Sequence, residues 1–243
     1  MATATACEQK EPVTIADRVF NQLREAILGG KMAPGQKISE PELASHYGVS
    51  RGSLREAIAR LESSNLVERK PNVGARVITL SIDELMEIYH IREALEGMAA
   101  RLAAVNMEPD EITELRKIVE RQRKEISSGN YAYFLKEVDL DFHFRIIQGS
   151  RNKRLIRLLC QDLYDLVRFY RASFSASSPR PEQAYEEHSA IVAAMERKDG
   201  EMAELLMRHH IRASRENARK SFEAMQDQPA GQQTTQSSAT SAT

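Results

Sequence analysis

With 243 residues, 42% of them hydrophobic and 28% charged, the chain has room for one large domain or two modest ones and the composition of an ordinary globular protein. That balance and a net charge of −1 exclude collagen-like, wholly disordered and positively coated proteins, and no apolar run approaches the length needed to cross a bilayer. The first residues, MATATACEQKEPVT, lack the basic start and apolar core of a signal peptide, and two cysteines, Cys7 and Cys160, argue against a disulfide framework, so a reducing cytoplasmic setting is expected.

Charge is unevenly spread along the chain. Residues 13–80 carry ten Lys or Arg against seven Asp or Glu, whereas residues 81–225 carry twenty-three against twenty-five. A modest positive module on a slightly acidic body binds nucleic acid tightly only when two copies act together, because phosphate contacts supply most of the non-specific affinity.

After a flexible start over residues 1–12, Thr14-Ile15-Ala16-Asp17 opens a helix in which Ile15, Val19, Leu23 and Ile27 recur every fourth residue, and Gly29-Gly30 closes it. Pro34-Gly35 turns the chain into Lys37-Ile38, expected as a short third strand. Residues 39–42, SEPE, have capping-box spacing with a proline tolerated in the first turn, and precede the apolar positions Leu43, Ala44 and Tyr47; Gly48 ends that helix. In residues 48–61, GVSRGSLREAIARL, Ser50 caps the next helix, Leu54, Ile58 and Leu61 share one face, and Arg51 and Arg55 lie one turn apart on the other. Taken alone, this is equally an amphipathic surface helix with solvated arginines. Its neighbourhood favours a recognition helix, since forked cations near a helix N-terminus suit guanine edges or phosphates in the major groove. Residues 66–70, LVERK, then a PNVG turn and residues 75–78, ARVI, complete a two-stranded wing crowded with Arg69, Lys70 and Arg76, where backbone or minor-groove contacts are expected.

This order of elements, with the run SRGSLREAIARLESSNLVERKPNVGARV, resembles the winged DNA-binding domain of GntR-type bacterial transcription regulators over residues 13–78. The resemblance implies DNA contacts from Arg51, Ser53, Arg55, Arg69, Lys70, Gly74 and Arg76. Gly52 stands where the family usually has Thr, and Pro41 where many members carry a phosphate-binding Arg, so both departures bear on operator sequence and affinity.

From Ser81 onward the pattern is helical throughout. A second capping-box sequence, SIDE, starts a helix whose apolar face carries Leu85, Ile88, Leu95, Met98, Ala99 and Leu102. Pro109 restarts the chain into a charged helix with Ile112, Leu115, Ile118 and Val119. Further helices are expected over residues 131–148, 152–174, 181–197 and from 200 to about 225, six in all, and their short connections favour antiparallel packing. Residues 226–243 hold almost nothing apolar and are expected to be a disordered tail.

Asp139 and His143 lie one helical turn apart, and His188 and His210 sit on the last two helices. One Asp and three His would suit Zn, Mn, Ni or Fe if the bundle brings them together, although an Asp-His pair at this spacing is by itself more readily a simple hydrogen bond. His46, His90 and His209 are assigned ordinary roles, His209 because it points about a third of a turn away from His210. Residues 81–225 resemble the FCD effector domain of the FadR branch of the GntR family, through DLDFH at 139–143, EHSAI at 187–191 and His210-Ile211, and six helices resemble its shorter VanR-like subgroup. The resemblance implies a divalent metal on Asp139, His143, His188 and His210. It further implies a small carboxylate effector near Arg92, whose alternative is a surface salt bridge with Glu96, and with weaker support near Arg168 and Asn217.

The expected protein is mainly α: a winged helix-turn-helix over residues 13–80 and an all-α antiparallel bundle over residues 81–225. It reads as a ligand-responsive regulator, most simply a repressor and not an enzyme, acting as a homodimer on a pseudo-palindromic operator. The rivals are a metal-dependent hydrolase and a regulator with a metal-free pocket for a larger acid or acyl group; the absence of an HExxH motif tells against the first.

Overall fold

The computed structural model describes residues 14–71, 73–79, 81–129, 139–174 and 180–226, with the side chains of 139–140, 161–162, 171–174 and 225–226 left aside. The readings made for Cys7, for the N-terminal segment, for the start of the helix expected at 131 and for the tail past residue 226 fall outside those residues. The chain divides into two compact units, Met1–Thr79 and Leu80–Thr243.

In the first unit, α1 (Ile15–Leu28) begins at a reciprocal cap: the Thr14 hydroxyl accepts from the Asp17 N–H at 3.0 Å, and the Asp17 carboxylate accepts from the Thr14 N–H at 2.8 Å. Val19, Leu23 and Ile27 are buried against α3, but Ile15 is 54% exposed. It is the first helical residue, and a helical side chain leans over the turn before it, which here does not exist. Gly48, with φ 63°, makes the left-handed turn between α2 (Glu40–Tyr47) and α3 (Arg51–Ser63). The capping box expected at residues 39–42 does not form. Ser39 holds the N-cap position with ψ 101°, whereas the capping Thr14 and Ser50 have ψ 164° and 151°, and its hydroxyl makes no cap bond. In α3, Leu54, Ala57, Ile58 and Leu61 are buried.

The wing is an antiparallel pair, β1 (Val67–Lys70) and β2 (Gly74–Val77), in the register Val67↔Val77 to Lys70↔Gly74. Gly74 turns the chain with φ 93°. The third strand is reduced to a single bridge, Lys37↔Arg76, flanked by the bonds Ile38 N–H to Ala75 O at 2.9 Å and Val77 N–H to Gln36 O at 3.0 Å.

The second unit is helical throughout its described residues: α4 (Ile82–Asn106), α5 (Pro109–Ser127), α6 (Asp139–Gly149), α7 (Lys153–Arg157), α8 (Tyr164–Phe174), α9 (Pro181–Glu196) and α10 (Gly200–Gln226). A π-helical turn, Leu158–Leu163, joins α7 to α8 without a break. The most extensive packing is α4 along α10. Gly97 on α4 permits it, since a Cβ there would lie 2.6 Å from Arg208 Cγ. Met98, expected on the buried face, is 40% exposed, because the residues on either side of it take the covered positions: Gly97 meets Arg208 of α10, and Ala99 packs with Ile147, Leu155 and Leu159. Phe142, Ile146, Ile191, Val192, Met195, Met207 and Ile211 fill the centre.

Candidate DNA interface and metal centre

In α3, Ser50 places its hydroxyl on the Ser53 N–H at 3.1 Å, and the two hydroxyls lie 3.0 Å apart, so Ser53 belongs to the cap at the helix start. Arg51 and Arg55 are exposed one turn apart on the face opposite the buried leucines. Arg55 is not a free cation: its Nε donates to the Glu40 carboxylate at 2.8 Å, which holds Glu40 below the usual carboxylate range. Arg69 reaches the same carboxylate at 3.5 Å and Glu62 at 3.6 Å, while Lys70 pairs with Glu68 at 3.0 Å. Arg76 is half-buried and donates to the Gly35 carbonyl at 2.9 Å, bracing the turn before the third strand. Of the residues expected at DNA, Arg55 and Arg69 therefore converge on Glu40, Gly74 shapes the wing turn, and Arg76 is directed into the module.

In the helical unit, His143 on α6, His188 on α9 and His210 on α10 are buried and meet at one point. His210 Nε2 lies 3.2 Å from His188 Nε2 and 3.2 Å from His143 Nε2. Each outer nitrogen has its own oxygen: Glu96 at 2.7 Å from His143 Nδ1, Gln122 at 2.9 Å from His188 Nδ1, and Glu187 at 2.6 Å from His210 Nδ1. An oxygen acceptor at Nδ1 favours a proton there, and in the neutral form of the rings three Nε2 lone pairs then turn toward one another. Lone pairs at this distance repel unless a cation sits between them. Nitrogens about 2.1 Å from one ion stand about 3.0–3.4 Å apart for octahedral to tetrahedral angles, so the donors fit a divalent metal. Asp139 opens α6, but its side chain is outside those described. His209 is exposed, 4.0 Å from Glu187.

The oxygens are themselves fixed. Burial alone would raise the Glu96 carboxyl, but Arg92, whose Nε donates to it at 2.6 Å, and His143 outweigh burial and hold it well below the usual range. Glu187 is likewise held down against burial by His210 and Arg180. Phe142 stacks on His188 with ring centres 4.0 Å apart. Beside His143 lies a narrow cavity of about 20 Å³, room for about one water molecule, lined by Arg92, Glu96, His143, Ile147, Leu159, Leu163, Tyr164 and Val167. Arg92 is thus no surface residue: it is 2% exposed, and its Nη1 has no hydrogen-bond partner among the described residues. Arg168 and Asn217 are half-buried and do not line this cavity. Sequence reasoning read Glu96 only as a partner for Arg92 and missed Gln122; a lone glutamine at a buried position of α5 was the available signal.

Comparison with known proteins matches residues 15–77 to the family described as bacterial regulatory proteins, gntR family, and residues 87–213 to the FCD domain. The chain is 32% identical over 184 residues to the HTH-type transcriptional regulator YdhC of Bacillus subtilis (strain 168), covering 76% of this chain and 82% of that one. It is 33% identical over 200 residues to a probable D-xylose utilization operon transcriptional repressor of Paenarthrobacter nicotinovorans, covering 82% and 87%. Among solved structures, E. coli McbR/YncC shares the fold with a TM-score of 0.70 at 23% identity, covering 87% of this chain and 100% of that chain.

Proposed function

Because the chain belongs to the gntR family of bacterial transcription regulators, in the FadR branch that carries an FCD domain, we propose that it is a metal-dependent, carboxylate-responsive repressor that binds operator DNA as a homodimer. The observation that carries the ligand reading is the three Nε2 atoms with each Nδ1 held from behind, next to a cavity lined by buried Arg92, whose Nη1 has no hydrogen-bond partner among the described residues. Zn, Ni, Mn or Fe would be held by His143, His188, His210 and, by sequence position, Asp139. When bound, such an ion supplies a Lewis-acidic anchor for a carboxylate. Arg92 supplies a second anchor from the cavity wall, and the apolar Ile147, Leu159 and Val167 beside it limit the acid to a small one, for which the wall must widen. The two relatives are named regulators, one of them a probable repressor. A hydrolase would need a free base; Glu187, the carboxylate on His210, is already occupied by Arg180 and His210. No described helix is long and apolar enough to cross a membrane.

At the DNA, Arg51→Ala is expected to weaken specific binding by about 1–3 kcal/mol with the fold intact, since Arg51 is an exposed groove contact. Lys70→Ala should instead weaken all sequences alike and lower the salt slope by about one. Mobility-shift titrations at several salt concentrations separate the two, and an Arg51→Ala protein that binds its operator like wild type would move the recognition helix elsewhere.

The homodimer is supported by an uncovered apolar face. Ile91, Met98 and Val105 are exposed at seven-residue spacing along α4, and the bonds of Arg101 to Glu201 and Glu204 bring exposed Met202 and Leu205 of α10 alongside. Such a stripe is self-complementary about Met98, setting Ile91 against Val105 of a second copy, as a two-fold interface requires. Light scattering on the full chain should show two copies, and Met98→Glu or Leu205→Glu should give one. Retention of the dimer in both would place the interface elsewhere.

A further inference from the structure

Resting on the DNA-binding reading above, we propose that Glu40 is a positioning residue that sets sequence discrimination by holding Arg55 of the recognition helix and Arg69 of the wing as one preformed pair. Three elements meet at this carboxylate: α2, of which Glu40 is the first residue, α3 through Arg55 Nε at 2.8 Å, and β1 through Arg69 at 3.5 Å. Arg69 also leans on Glu62 at 3.6 Å, in the last turn of α3. Glu40 occupies the N-cap-adjacent position, yet Ser39 makes no side-chain cap bond there, so this end of α2 is tied to the module through arginines.

The choice of atoms matters. Held through Nε, Arg55 keeps both terminal nitrogens for a ligand, and those are the two donors that span the two acceptors on a guanine edge. A free arginine on an exposed helix would swing to the nearest phosphate, which adds affinity for any sequence. The Glu40 charge opposes that second outcome, because a carboxylate beside the backbone repels phosphate. It therefore trades general affinity for discrimination, a repulsive device alongside the attractive ones.

The test uses the full-length protein and two fluorescent duplexes: one carrying the site that wild type enriches from a random-sequence pool, the other a scramble of equal composition. Glu40→Ala is expected to bind the scramble severalfold more tightly, to steepen the salt slope, and to lose at least about tenfold in the ratio between duplexes. Glu40→Gln keeps an acceptor oxygen without the charge, so it should gain scramble affinity yet retain most of the ratio. In an Arg55→Ala background, Glu40→Ala should change the ratio little further. A merely structural role for Glu40 would lower binding to both duplexes together and lower the melting temperature of Glu40→Ala. That pattern, an unchanged ratio, or an equal loss in the Arg55→Ala background overturns the proposal. If wild type enriches no sequence, the DNA-binding reading fails and takes this one with it.

Discussion

Loading the metal-free protein with Zn²⁺, Ni²⁺ or Mn²⁺ is expected to raise its melting temperature by about 10 °C, and His188→Ala or His210→Ala to abolish the rise. A ligand held only by the folded state, at about a thousand times its dissociation constant, stabilises by about 4 kcal/mol, and a unit of this size gains about 2–4 °C per kcal/mol. The donors come from α6, α9 and α10, so filling the site adds one tie across three helices. His209→Ala is the control, since that ring is exposed beside the same helix turn. Calorimetry with and without metal decides between outcomes. If His209→Ala loses the shift and His210→Ala keeps it, the donor set is wrong by one residue; if wild type shows no shift with any of these ions, a metal-free pocket for a larger acid becomes the better account.

Glu96→Ala should destabilise the helical unit by about 3–5 kcal/mol. The carboxylate is buried and serves two groups, Arg92 at 2.6 Å and His143 at 2.7 Å, so its removal leaves a buried guanidinium uncompensated and an imidazole N–H without its acceptor. Most of the loss is the penalty on the stranded charge, not the worth of the pair. The double change Arg92→Met with Glu96→Leu should accordingly cost much less than Glu96→Ala alone, while losing the response to a carboxylate. Urea unfolding of the three proteins measures this, and a single-mutant loss below about 1 kcal/mol would mean that water already reaches the pair.

Local signals carried much of the architecture. The four-residue spacing of Val19, Leu23 and Ile27, the turn at Gly48 and the SR-REAI run were legible because each depends on neighbours within one or two turns. Ser39 shows the limit: the same capping pattern as at Thr14, but at a backbone angle that the sequence does not reveal. The stripe on α4 misplaced Met98 for a related reason, since which side of a long helix is covered depends on α10, a hundred residues away. For the metal donors, spacing supplied one pair, and resemblance to a family supplied the choice of His210 over His209. What no local pattern could supply was the arrangement behind the rings. Gln122 lies 66 residues from His188, and Glu96 was readable as a partner for Arg92 four residues before it, not for His143.

The wide turn at Leu158–Leu163 gives the cavity-wall helix something its neighbours lack, which is slack in chain length. A π turn closes i to i+5 bonds and stores one residue beyond what an α turn needs, so a residue removed there lets the segment tighten into α form while the flanking helices keep their phase. The same deletion in the middle of α4 would rotate everything after it by about 100° and carry Arg92 and Glu96 out of step with the residues beyond. Tyr164 and Val167 on the far side of the wide turn, and Leu159 within it, face one cavity. At this point the wall can lose a residue without re-aiming the side chains beyond it.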